Sequence, residues 1–181
     1  MMYPASAQLR SIRIWLAIFI VGLALSGITA FPLVHETGWL VRVLAAHPIL
    51  PSGIILWIDR VHSALIDEAV RYPFLAYGTD WLAFAHLVLA FAFVGPWIDP
   101  VRNKWVLQFG VIACLGVFAL ALIAGPLRGI PPLWRAIDCC FGLFGAVPLL
   151  ICLRLARQLE AQANLAEHPS VHSSTPSPSV N

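Results

Sequence analysis

Gly78-Thr79-Asp80-Trp81-Leu82-Ala83-Phe84-Ala85-His86, followed by an apolar run to Gly95-Pro96, reads as a membrane-spanning helix with an ionisable side chain inside it. Asp80 stands where the free amides of a helix N-terminus want a negative acceptor, and Trp81 where an amphipathic ring prefers the lipid interface. His86 then lies about 9 Å further in, at about 1.5 Å per residue. An imidazole at that depth is costly without a partner, so the groups that accompany it are the first place to look for function.

The rest of the composition agrees with a bilayer solvent. Of the 181 residues 60% are hydrophobic and 11% charged, against roughly 45–50% and about 25% in soluble domains. The net charge of +2 is spread without a basic cluster, which leaves no electrostatic footprint for nucleic acid. Cys114, Cys139, Cys140 and Cys152 all fall inside apolar runs without metal or redox spacing, and the adjacent Cys139-Cys140 pair suits small buried apolar residues better than a strained vicinal disulfide.

Four runs are long enough to span, at about 14–34, 81–98, 105–127 and 134–153. The first exceeds the roughly 7–15 residue apolar core of a secretory signal, so it is taken as an uncleaved span. Gly22 and Ser26 give it a small-xxx-small pair on which another helix can approach closely. Between the first and second spans, charges return every few residues while apolar residues keep helical spacing: Ile54, Ile58, Val61, Leu65 and Ala69 after Ser52, ending at Pro73. With a shorter piece from Trp39 to Ala46, this makes residues 38–72 an interfacial helical hairpin over the bundle. Spans two and three, joined by the short Asp99–Lys104 turn, are expected to be antiparallel neighbours, and Gly95-Pro96 and Gly125-Pro126 look like helix stops. Pro148 should kink the fourth span. The expected architecture is all-α: a four-helix transmembrane bundle with an extramembrane helical hairpin, a membrane domain over residues 1–157 and a polar, largely disordered tail over 158–181.

This path puts Glu36, Asp80, His86, Arg128, Arg135 and Asp138 toward one side of the membrane, together with His35. Those six residues are the candidate polar pocket, with Arg128, Asp138 or Glu36 as the expected partner of His86. A shared pocket would couple the effects of changing His86 and Asp138. No nucleophile-base or metal-ligand motif is visible, so no catalytic or metal residue is assigned.

The run Tyr72-Pro73-Phe74-Leu75-Ala76-Tyr77-Gly78-Thr79-Asp80-Trp81, with Asp99-Pro100-Val101-Arg102-Asn103 and Gly125-Pro126-Leu127-Arg128-Gly129-Ile130-Pro131, resembles bacterial four-span integral membrane proteins of no assigned function. The resemblance implies a bacterial membrane location and no activity, cofactor or catalytic residue.

The favoured functional reading is a non-catalytic accessory or interaction subunit, with other membrane subunits or further copies of the chain as partners in the lipid bilayer. The alternative is a small redox or ligand-binding protein using His86. Quinone suits it better than haem, because His35 lies at the membrane edge and offers no second axial ligand at the same depth. A small transporter is the third class, disfavoured by the little room four short spans leave for alternating access.

Lysine and arginine near the span ends set the orientation. Arg10, Arg13, Arg102, Lys104, Arg154 and Arg157 fall on the side of the termini, against Arg42, Arg60, Arg71, Arg128 and Arg135 on the other. In a bacterium this expects cytoplasmic termini at the inner membrane. Reporter fusions at Asn103 and at the C-terminus should therefore both report cytoplasm, and one at Ser52 the opposite side. Asn103 and Ser52 on one face would overturn the four-span path.

Overall fold

A computed structural model of the chain describes residues 5–47 and 49–167, and among them every regular element is helical. In chain order these are α1 (Ala5–Ala30), α2 (Leu33–Ala46), α3 (Ser52–Arg71), a 3-10 turn (Pro73–Leu75), α4 (Ala76–Ala92), α5 (Val94–Ile98), α6 (Lys104–Ala119), a π-helical turn (Leu120–Ala124), α7 (Gly125–Leu127) and α8 (Pro132–Glu167). Four helical stretches are long and apolar enough to cross a membrane: Ala5–Ala30, Pro73–Ile98, Lys104–Leu127 and Pro132–Ala166.

Several boundaries differ from those read in the sequence, each for a local reason. The first long helix stops at Ala30, because the chain turns at Phe31-Pro32 and α2 restarts with the Glu36 N–H on the Pro32 carbonyl at 3.0 Å. The second begins well before Asp80. Pro73 presets a helical φ, so the helix is already formed by Ala76, and Asp80 lies in its second turn rather than at its cap.

Neither Gly-Pro pair stops its helix. After an interruption at Phe93 the chain re-enters a helical turn through Pro96 and ends only at Asp99. Pro126 follows directly on the π-helical turn, whose wider spiral removes the clash a proline ring makes in a regular helix. The stop comes at Gly129, with a φ of +69°. The Ile130 N–H bonds the Gly125 carbonyl (2.9 Å) and the Gly129 N–H bonds the Pro126 carbonyl (3.1 Å), the paired bonds of a Schellman ending.

At the other end, α8 passes Pro148 without losing helix and continues to Glu167. Residues 158–167, expected in a polar tail, are therefore helical. Leu159 is buried there, and Glu160 forms an ion pair with Lys104. The remainder of the expected tail, 168–181, lies outside the described residues.

The helices pack in the order α4, α1, α8, α6. The main core joins Ile12 and Leu16 of α1 to Phe93, to Val106, Leu107 and Cys114 of α6, and to Leu149, Cys152 and Ala156 of α8. The second and third long helices, expected to lie side by side, do not pack along their lengths and meet only near their shared turn. Phe93 makes the contact near that turn. Its ring stacks edge-on to Phe19 with centroids 4.7 Å apart, and its Cζ is 2.6 Å from where a side chain on Gly110 would begin. The ring thus rests on the bare backbone of Gly110 in α6 and against Phe19 of α1. The turn itself is tied by Asp99, which accepts the Arg102 N–H at 3.0 Å, and by Asn103, which donates to the Gly95 (3.2 Å) and Asp99 (3.0 Å) carbonyls.

A second, smaller cluster forms where α2 and α3 pack together. Leu44, Ile54 and Ile58 are its buried members, and Trp134 at the start of α8 packs against them, so α2 and α3 lie against that end of the bundle. All four cysteines are free: Cys114 and Cys152 are buried, whereas Cys139 and Cys140, expected to be small buried residues, are half-buried and exposed, on turns of α8 that are less covered by its neighbours.

The close contact of α1 with α4 is made one step round the helix from the small-residue pair noted in the sequence. Gly22 has open space beside it and Ser26 is exposed, whereas a Cβ on Gly27 would stand 2.8 Å from the Ala83 carbonyl oxygen. A rigid backbone oxygen cannot swing away. Gly27→Ala should cost about 1–3 kcal/mol by overpacking, and Gly22→Ala should stay within about 0.5 kcal/mol of wild type, both measured by denaturant titration in mixed micelles. Equal effects would displace Gly27 from the contact.

Candidate functional site

The six residues of the candidate pocket fall in three places. Glu36 is exposed on the first turn of α2. Asp80 and His86 are half-buried on α4. Arg128, Arg135 and Asp138 sit at the corner between α7 and α8, the first exposed and the other two half-buried. Since α4 packs on α1 and not on α6 or α8, its two polar residues are held apart from the corner. Among the described residues the ion pairs are Arg71 with Asp67 on the surface of α3, at 2.7 Å, and Lys104 with Glu160 at the opposite end of the bundle.

His86 meets its polar demand on its own helix. Its Nδ1–H donates to the Leu82 carbonyl one turn back, at 2.8 Å, which also fixes the tautomer. Its Cβ lies close to Gly27, so α1 covers one side of its stem. The partner expected from Arg128, Asp138 or Glu36 is replaced by a local carbonyl, a bond worth about 1 kcal/mol net.

The α7–α8 corner is organised by Arg135. Gly125 leaves a slot into which its aliphatic stem fits: a Cβ there would overlap the arginine's Cγ and Cδ. This holds Arg135 Nε in the interior with no hydrogen-bond partner, while Asp138, one turn on, makes no ion pair with it. The position of Arg135 is set by the glycine and by the start of α8, where the Arg135 N–H bonds the Pro131 carbonyl at 3.0 Å.

A polar contact the sequence reading passed over lies between α2 and α3. Thr37 Oγ1 donates to the Leu33 carbonyl at 2.8 Å, leaving its lone pairs to accept the Nδ1–H of His62 at 3.0 Å. The His62 ring rests on Gly38, where a Cβ would come within 2.9 Å of Cε1. The signal was present: steps of four from Ile54 lead through Ile58 to His62, placing the imidazole on the face that packs against α2. A neighbouring groove of about 590 Å³ along α2 is lined by His35, Glu36, Thr37 and Trp39 with Leu33 and Leu40. It takes in Glu36 but none of the other five candidate residues.

In chemical terms, these polar groups orient helices. Among the described residues no three of histidine, cysteine, aspartate and glutamate gather closely enough to share a metal ion. No protein-family model, curated protein or solved structure matches this chain.

The separation of α4 from the corner sets an expectation for variants. His86→Ala and Asp138→Asn should each lower stability modestly, and the double variant should equal their sum within about 0.5 kcal/mol, as distant sites do. A larger coupling energy in a double-mutant cycle would restore one shared pocket.

Proposed function

We propose that this chain is a non-catalytic integral membrane protein of the bacterial inner membrane, an interaction subunit that receives a transmembrane helix of another polypeptide. The observation that carries the proposal is the helix order. Two consecutive long helices, α4 and α6, lean on different neighbours and leave the side between them without a helix of this chain. Val88 and Phe91 on α4, and Leu115 with the bare backbone of Gly116 on α6, are exposed. Helices associate in lipid by packing shape rather than by hydrophobicity, so large exposed side chains on one helix and a bare glycine on another, with no helix of this chain joining the two, suit a further helix.

In this proposal the termini face the cytoplasm, following the arginine and lysine distribution, and α2 and α3 lie at the opposite interface as a hairpin. Exposed Trp39, Leu56, Ile66 and Val70 on that pair suit the headgroup boundary. The polar residues that elsewhere make a site are here engaged on their own or adjacent helices, as with His86 on Leu82 and His62 on Thr37.

The test is site-specific photo-cross-linking in native membranes. A photoreactive residue at Val88 or Leu115 should give one adduct of defined mass, a second copy of the chain or another subunit, and one at Ile14 or Ile18 on α1 should give none. Lipid adducts alone at all four positions, with a quinone or haem found in the purified protein, would overturn the interaction reading in favour of ligand binding.

A further inference from the structure

At the opposite end of the bundle from α2 and α3, α8 carries a groove of about 490 Å³ lined by Leu150, Leu153, Arg154, Arg157, Gln158 and Ala161. We propose that this groove binds the phosphate headgroup of an anionic phospholipid, with Arg154 and Arg157 holding the phosphate and Leu150 and Leu153 lying along the acyl chain.

Three observations meet here. The first is depth. Cys152 Sγ points to the Ile12 carbonyl at 3.7 Å, which puts this part of α8 level with the start of the apolar run in α1. At that level the Arg13 guanidinium lies over the Trp97 ring, 5.7 Å from its centre, and the Trp97 indole N–H donates to the Arg13 carbonyl at 3.1 Å. A tryptophan and an arginine in that arrangement mark a membrane–water boundary. Arg154 therefore sits at the boundary, with leucines on the lipid side of the groove and Arg157 and Gln158 on the water side.

The second observation is charge. Lys104 at this end is neutralised by Glu160, and Asp99 is engaged by the Arg102 N–H. Arg154 and Arg157 are exposed and form no ion pair among the described residues. Residues 1–4 and 168–181 contain no aspartate or glutamate. Two uncompensated guanidiniums beside an apolar wall are complementary to a headgroup that carries phosphate and chain together.

The third is geometry. Arg154 and Arg157 are three residues apart on one helix and so adjacent on its surface, with Gln158 four beyond Arg154 as a further donor. Small Ala161 leaves room above them. Burial of Ala156 and Leu159 on the other side of the same turns anchors the helix, so the arginines are presented from a packed element.

The inference rests on the long helices crossing a bilayer and not on the partner proposed above. The test uses the full chain in nanodiscs of phosphatidylcholine with or without phosphatidylglycerol, read by lipid retention in native mass spectrometry and by thermal unfolding. Wild type should retain phosphatidylglycerol over phosphatidylcholine and melt higher in its presence. Arg154→Gln with Arg157→Gln should weaken retention by about thirtyfold, the scale for two arginines at a lipid surface. Arg10→Gln with Arg102→Gln, on the same side but outside the groove, should leave it unchanged.

Equal retention of both lipids by wild type would overturn the proposal, and that comparison stands even if the double variant does not fold. Equal loss in the control pair would overturn it in favour of diffuse surface charge. Displacement of the lipid by millimolar inorganic phosphate would overturn it in favour of a free anion. Release of the chain from membranes by alkaline carbonate would overturn it together with the spanning reading, and is distinguishable because it needs no lipid comparison.

Discussion

The close approach of α1 to α4 at Gly27 governs the rest of this bundle. In lipid, apolar side chains gain nothing by leaving one apolar surroundings for another, so helices are held where their backbones and side chains interlock. Gly27 lets α4 settle against the later turns of α1, and Ile12 and Leu16, earlier on the same face, join the main core with α8. Both helices pack on α1 but hardly touch each other, and α6 follows α8. The lack of a direct α4–α6 packing is the outcome of that order, with Phe93 bridging to Phe19 and Gly110 near the shared turn.

The same order determines what the polar residues do. His86 travels with α4, while Arg135 and Asp138 travel with α8, so residues that the chain path puts toward one end of the bundle are not neighbours in space. Each finds a local arrangement instead: His86 on the Leu82 carbonyl, Arg135 in the slot over Gly125. Where two polar groups do meet across helices, at Thr37 and His62, the contact fixes α2 on α3, and Trp134 carries that pair onto the start of α8.

The two ends of the molecule are chemically unlike. One carries α2 and α3, with their carboxylates, imidazoles and the shallow groove by His35 and Glu36. The other has the Asp99–Asn103 turn tied by its own side chains, and an excess of arginine at the boundary that Trp97 and Arg13 mark. Because α8 has 36 residues, about 54 Å of helix, it exceeds the roughly 30 Å hydrocarbon thickness. A helix of that length crossing a bilayer would leave its last turns clear of the apolar zone, and it is there that Glu160 reaches Lys104.

Much of this was legible in the chain itself. Runs of twenty or so apolar residues admit few structures other than spanning helices, so the number and approximate position of the long helices followed from length and composition. The amphipathic spacing of Ile54 and Ile58 and the break at Pro73 likewise located α3. Helix ends were read less well. Whether a Gly-Pro pair stops a helix depends on the turn before it, and the π-helical widening ahead of Pro126 has no sequence signature. Neighbour relations were decided by tertiary structure alone. A short turn requires the ends of two helices to be close and places no demand on their lengths, so α4 was free to choose α1 and α6 to choose α8. The candidate polar pocket depended on that choice: sequence sets how deep each charged residue lies, but only the packing of small residues such as Gly27 and Gly125 decides which of them meet.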